Sequence, residues 1–169
     1  QILLNRAPKL GNNDDAVDTL ARNIGMLFIN AIQQYTPLRG GVYGPTTQSL
    51  SGNVPHGMMV GATPDGRMAG QPLADNNSPS AGTDVNGPTS AILSVARLDH
   101  ERFANGTIFN LKFHPSAFHG SDERMRKFVS LIRTFFDLKG FQVQFNIISA
   151  EMLRDAQHNP NAYPNLMVK

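Results

Sequence analysis

The residues best suited to chemistry lie between Arg39 and Asn53. Gly40-Gly41 lets the backbone turn sharply. Thr46, Thr47, Gln48, Ser49 and Ser51 then offer a dense run of neutral hydrogen-bond donors and acceptors. Such a run suits a small polar or hydroxylated ligand, and its composition equally describes a solvated Ser/Thr loop. A second segment, Val60 to Asp75, is too rich in Gly, Pro and Asp for a helix or strand and too apolar at its ends for a free linker. It reads as a loop of fixed shape, the kind of element a rigid scaffold aims at a site. Pro64-Asp65-Gly66 forms its turn, with Gly66 supplying the left-handed residue. Asp65 and Arg67 are expected to pair and pin the loop. Gly61 to Gly66 lacks the Gly-Lys-Ser/Thr ending of a nucleotide loop and runs into no helix, so a phosphate-binding reading fails.

The other reactive residue types give less. His56, His100, His114, His119 and His158 do not recur at the i, i+4 spacing of a helical zinc site. His114, after a strand pattern and before Pro115, is the candidate for a buried hydrogen-bonding role, structural rather than catalytic. The carboxylate pairs Asp14/Asp15 and Asp122/Glu123 sit at helix starts, where the dipole explains them. There is no Cys, which excludes disulfides, zinc-thiolate sites and a thiol nucleophile on these 169 residues. It also fits a reducing cytoplasm.

The bulk composition sets the frame for these loops. The chain is long enough for one domain with a real core. Charged residues make up only 17%, against about a quarter in soluble domains, as expected of a surface partly covered by more protein. Net charge is +2 with scattered basic residues, which gives nucleic-acid binding little support. No apolar run approaches the ~20 residues of a membrane span. Both termini read as cuts inside a longer chain, Asn165 to Lys169 resembling a strand severed part-way.

The positioning elements follow from periodicity. Residues 13–35 predict a helix capped by Asn13 or Asp14, with Val17, Leu20, Ala21, Ile24, Leu27, Phe28 and Ala31 on one stripe. Its polar side is thin, so burial on more than one side is expected. Residues 36–89 lack period, with a short strand at Val54 to Val60. A helix is predicted from Thr89 to Ala96 with Pro88 near its start, and a strand from Thr107 to Phe113. The clearest helix runs from Asp122 to Leu138, capped by Ser121 and stopped by Gly140, with Met125, Phe128, Val129, Ile132, Phe135 and Phe136 as its core stripe. Phe141 to Ile147 alternates as a strand, and Ser149 caps a last helix through Gln157. Strand, helix, strand, helix and strand stub favour a parallel sheet wrapped by helices, open or closed into a barrel. Gln142, Gln144 and Asn146 give one strand face an amide lining that a polar barrel interior would satisfy, as would an exposed face on an antiparallel sheet.

Several of these segments match a known family in order. Arg39-Gly-Gly, Asn53-Val-Pro-His-Gly57, Gly61-Ala-Thr-Pro-Asp-Gly-Arg67, Pro72-Leu-Ala-Asp75, Ser78-Pro-Ser-Ala-Gly-Thr-Asp84, Asn86-Gly-Pro-Thr89 and Asn110-Leu-Lys-Phe-His-Pro115 resemble the C-terminal region of glycyl radical enzymes. So do Leu131-Ile-Arg-Thr-Phe-Phe-Asp137, Gln144-Phe-Asn-Ile-Ile-Ser149 and Asn159 to Lys169. The resemblance is stronger to the branch of glycerol, propanediol and hydroxyproline dehydratases than to pyruvate formate-lyase itself.

That resemblance implies an α/β fold: the C-terminal part of a ten-stranded α/β barrel with long ordered loops, residues 1–169 forming one segment of it. It implies a lyase or dehydratase acting on a small polar substrate such as a diol or a hydroxyproline-like compound. The family carries a thiyl-forming cysteine on one loop. A second loop holds a glycine that stores a radical, installed by an activating enzyme using S-adenosylmethionine and an iron–sulfur cluster. Neither loop is here: the chain has no Cys, and the radical loop is expected directly after Lys169. The segment alone is therefore expected to be inactive, with no catalytic residue, metal or bound cofactor of its own. Its partners would be substrate, the activating enzyme and the rest of the barrel, in a cytoplasmic homodimer free of nucleic acid and membrane. By matching position, Thr47, Gln48, Ser49 and Ser51 would contact substrate, while Asp65, Gly66, Arg67, Asn86 and His114 would be architectural. The alternative is a non-catalytic barrel piece that acts only with a partner chain.

Overall fold

In the computed structural model, residues 6–164 and 166 are described. The proposed strand stub at the C-terminus lies almost wholly outside them. The elements are helix α1 (Asp15–Gln33), helix α2 (Asn53–Met59), helix α3 (Gly87–Ala96), strand β1 (Phe109–Phe113), helix α4 (Asp122–Asp137), strand β2 (Val143–Ile147) and helix α5 (Ala150–His158). Single 3₁₀ turns sit at His100–Arg102, Pro115–Ala117 and Pro160–Ala162.

β1, α4 and β2 form a parallel crossover unit. The two strands pair from Phe109↔Val143 to Phe113↔Ile147, and α4 carries the chain between them, as a parallel connection requires. The core gathers where α3 and α4 meet β1: Ala91, Ile92 and Val95 from α3, Phe109 and Leu111 from β1, and Phe135 from α4. A second aromatic cluster joins Phe113, Phe118, Phe128 and Phe145, with ring centroids 4.9–5.8 Å apart, in the edge-to-face range that aromatic pairs prefer.

α1 begins where expected: Asp14 accepts from the amides of Ala16 and Val17 at 3.0 and 3.2 Å. Its buried side differs from the expected stripe. Asp18 and Ile29 are buried, with Gly25 half-buried between them, while Leu20 and Leu27 stay 60% and 71% exposed. Gly25 allows this contact, since a Cβ there would sit 3.2 Å from the Phe103 ring. The helix is apolar on two sides, and most of the predicted stripe lies on the side this chain leaves uncovered, with Val17 and Ala21 half-buried at its edge. Buried Asp18 ties α1 to α3: Ser94 donates to it at 3.1 Å and Arg97 at 2.8 Å.

The strand expected at Val54 to Val60 is helix α2 instead. Pro55 lies in its first turn, where no intrahelical amide is needed. Gly57 presses on Gln71 and Pro72 so closely that a Cβ would meet the Gln71 carbonyl at 2.3 Å. α4 also departs in detail. Phe135 is fully buried, while Met125 and Phe136 are each 47% exposed. The Ser121 side chain makes no capping bond. The chain reverses at Lys139, with φ +71; Gly140 is required because a Cβ there would lie 2.4 Å from the Phe135 ring. Ser149 does cap α5, accepting from the Met152 amide at 3.2 Å.

Candidate functional site

The Thr46–Ser51 loop is held from both sides. Toward the segment before β1, Thr46 Oγ1 donates to the Gly106 carbonyl at 2.9 Å, and the Thr47 amide donates to the same oxygen at 3.2 Å. Gln48 Nε2 donates to the Asn105 carbonyl at 3.1 Å. Thr47 and Thr107 form a parallel bridge. Gly106 is needed for this approach: its φ is +95, and a Cβ would come within 2.7 Å of the Gln48 amide. On the other side, the Ser49 hydroxyl lies 3.0 Å from Asp75 Oδ1 and from Asn76 Oδ1, and the Ser49 amide donates to Asn76 Oδ1.

The four predicted contact residues therefore separate. Gln48 and Ser49 spend donors on holding the loop. Thr47 lines a mostly apolar cavity of about 350 Å³ beside α1, reached also by Asn76, Asn77 and Phe103. Its hydroxyl and Asn77 Nδ2 are buried there without a hydrogen-bond partner. Ser51 is exposed and lines a larger open cleft of about 1190 Å³, shared with Asn53, Arg67, Asp75, Asn110 and Lys112. The structure thus brings Ser51 to the larger cleft and places Thr47 on a different cavity.

The Val60–Asp75 loop is ordered, but the expected Asp65–Arg67 pair does not hold it. Arg67 instead spreads its guanidinium over four carbonyls of its own loop: Val60 at 3.4 Å, Met68 at 3.2 Å, Gln71 at 2.7 Å, and Gly61. A planar fork of five donors suits several carbonyls better than one adjacent carboxylate. Asp65 turns toward Thr63, whose hydroxyl is the main cause of its lowered pKa, and toward Lys9 at 3.7 Å. The turn itself forms as read, the Gly66 amide donating to the Thr63 carbonyl at 3.0 Å with Gly66 at φ +103.

His114 is exposed rather than buried. Its Nδ1 accepts from the Ser116 amide at 3.2 Å, and Nε2 lies 3.7 Å from Glu151. The buried histidine is His100, which sequence reasoning passed over. Its Nε2 lies 2.8 Å from the Val95 carbonyl and its Nδ1 2.8 Å from Thr107 Oγ1. A carbonyl can only accept, so Nε2 carries the proton and Nδ1 accepts from the threonine. Burial depresses its pKa, with the Val95 carbonyl and Asp99 working in the opposite direction. The sequence held no periodic signal for it, because His100 lies on a single 3₁₀ turn.

Of the amide face read from the strand pattern, Gln144 is exposed while Gln142 and Asn146 are half-buried. Among the described residues no three His, Asp or Glu side chains gather as a metal site, and no helix is long and apolar enough to cross a membrane.

A parallel β–α–β unit flanked by long pinned loops, with hydroxyl, amide and charged side chains at a cleft, is mixed α/β structure that fits a section of a larger barrel. Comparison with known proteins agrees. Residues 73–169 match the family described as Glycine radical, and residues 1–57 match Pyruvate formate lyase-like. The chain belongs to the glycine radical family. It is 42% identical to a probable dehydratase, YbiW, of Escherichia coli (strain K12), over all of this chain and 22% of that protein. It is 44% identical to indoleacetate decarboxylase of Tractidigestivibacter scatoligenes, over 96% of this chain and 18% of that one. The glycerol-bound form of the B12-independent glycerol dehydratase from Clostridium butyricum superposes with a TM-score of 0.91 at 51% identity, over 99% of this chain and 21% of that one. The chain spans about a fifth of the length of the relatives it matches.

Proposed function

We propose that this chain is part of a glycyl radical lyase or dehydratase that eliminates water, or cleaves a bond, in a small polar substrate such as a diol or a hydroxyproline-like compound. The observation that carries the reading is the likeness at 51% identity to a dehydratase with glycerol bound. The 44% identity to a decarboxylase argues that this stretch is common wall and leaves the choice of broken bond to residues elsewhere.

In the whole enzyme a cysteine thiyl, formed from the stored glycyl radical, would take a hydrogen atom from a substrate carbon and later return one. This chain has no cysteine, so its part is to bind, orient and exclude water. Ser51 would present its hydroxyl to substrate at the larger cleft, Gln48 and Ser49 would hold the loop that carries it, and Thr47 would reach substrate only through the smaller cavity beside α1. Hydroxyl and amide groups fix a diol through hydrogen bonds, beside the charged Arg67, Asp75 and Lys112 that share the cleft. The remaining parts of the reading are a ten-stranded barrel, a radical loop directly after Lys169, a separate S-adenosylmethionine and iron–sulfur activating enzyme, and a cytoplasmic homodimer.

The test is anaerobic co-expression of the full coding sequence with an activating enzyme. The expected result is a glycyl radical signal in electron paramagnetic resonance and turnover of glycerol or propane-1,2-diol. A full-length protein that takes up radical but converts no diol, imino acid or arylacetate would overturn the reading of the activity. One that takes up no radical would leave a non-catalytic barrel piece.

A further inference from the structure

We propose that Asp75 is a positioning residue that sets the Thr46–Ser51 loop against the barrel wall; this rests on the proposed role of that loop in binding substrate. Asp75 is half-buried at the larger cleft, and its two carboxylate oxygens collect a side chain from the Thr46–Ser51 loop, one from β1 and that of its own neighbour Asn76. Oδ1 lies 3.0 Å from the Ser49 hydroxyl and accepts from Asn76 Nδ2 at 2.7 Å. Oδ2 accepts from Asn110 Nδ2 on β1. Among the described residues no ion pair involves Asp75, so neutral donors alone hold the carboxylate.

The wall side of this clip is fixed. Asn110 is 5% exposed. Its amide donates to Ser78 Oγ at 2.9 Å, and the Ser78 amide donates to the Asp75 carbonyl at 2.8 Å. The Asn77 amide donates to the Ile108 carbonyl at 3.0 Å. The Asp75–Ser78 turn is therefore locked to β1, and Asp75 passes that rigidity to Ser49. Ser49 answers from its own side by accepting the Asn76 amide at 3.2 Å. Ser51, two residues on, faces the same cleft.

Alanine at this position removes both oxygens and with them the bonds to Ser49, Asn76 and Asn110; asparagine is the weaker probe, because the buried Asn110 Oδ1, which has no partner, can turn to accept its NH₂. The experiment is hydrogen–deuterium exchange on full-length Asp75→Ala, read at 46–52 and at α3. Exchange at 46–52 should speed at least tenfold with α3 unchanged, and Ser49→Ala should accelerate it less in that background than in the wild type. Equal acceleration in both segments, or none at 46–52, overturns the proposal. If Asp75→Ala does not fold, Ser49→Ala alone removes the bond to Asp75 together with the one accepted from the Asn76 amide, and no acceleration at 46–52 in it overturns the proposal. In turnover with glycerol and propane-1,2-diol as probes, Asp75→Ala should raise KM at least fivefold and leave kcat within twofold. A fall in kcat at constant KM overturns it. Should wild-type protein convert neither probe, the reading of the activity fails while exchange still decides the role of Asp75.

Discussion

His100 Nδ1 stands 2.8 Å from Thr107 Oγ1, and through that contact a buried imidazole supports the residue that bridges to Thr47. The other ring nitrogen holds the Val95 carbonyl at the end of α3, and the edge of the ring meets Phe135 at 5.9 Å. One side chain thus joins two core helices to the segment on which the candidate loop rests.

That position makes the region pH-sensitive. Burial is the main cause of the depressed pKa of His100, so between the depressed value and about 6.5 the folded chain binds fewer protons than the unfolded one. Stability then rises with pH across that window. The contribution is complete above about 6.5 and is lost as pH falls through the depressed value. Amide exchange of α3 in the full-length protein, corrected for intrinsic rates, should show protection falling from pH 7.5 to pH 5. His100→Gln should flatten that dependence, because an amide does not titrate. A slope unchanged in the variant would assign the effect to another group.

Arg67 offers a second test. Its fork closes the Val60–Gln71 loop through four carbonyls. Lysine keeps the charge but presents a single point donor group. Arg67→Lys should cost about 1–3 kcal/mol of local stability and open the loop to limited proteolysis between residues 60 and 71, with α4 cleavage unaltered. Asp65→Asn should leave this loop resistant, since Asp65 does not pair with Arg67. Equal sensitivity of the two variants would restore the pairing read from the sequence.

The third prediction concerns packing. A Cβ at Gly140 would lie 2.4 Å from the ring of Phe135, which is fully buried among the core residues of α3 and β1. Gly140→Ala should destabilise by about 1–3 kcal/mol through overpacking, and Phe135→Ala by about 3–5 kcal/mol through the cavity it leaves. Combined, the two should cost less than their sum, because removing the ring removes the clash. Denaturation of the full-length protein, read by exchange at α4, measures all three. Strict additivity would show that Gly140 is needed for backbone conformation instead.

The contrast between Gly140 and α1 indicates what the sequence carried. Periodicity located α1, α3, α4 and both strands, because each pattern is set by residues three or four apart in helices and two apart in strands. The buried side of α1 was not legible: the helix is apolar on two sides, and the contact made by Gly25 with Phe103 depends on a residue 78 positions away. α2 was misread for the same reason, as its support is the Gln71–Pro72 backbone. In the candidate site the run of neutral donors was visible. Its division was not, because the partners of Thr46, Gln48 and Ser49 lie 26 to 60 residues further on. Arg67 and Asp65, two residues apart, look like an ion pair until the carbonyls around the arginine are known.

That division yields the last prediction. Ser51 reaches the larger cleft, whereas Gln48 spends its amide on Asn105. Ser51→Ala should remove about 1 kcal/mol of substrate binding, a rise in KM of several-fold, with exchange at 46–52 unchanged. Gln48→Ala should accelerate that exchange, because it releases the loop from the segment before β1. Its KM should rise only as far as the loosened loop lets Ser51 move. Measuring KM and exchange together on both variants separates a residue that touches substrate from one that holds the loop in place. If Ser51→Ala loosens the loop and leaves KM unaltered, Ser51 is structural and the substrate contacts must be sought at Thr47 and the smaller cavity beside α1.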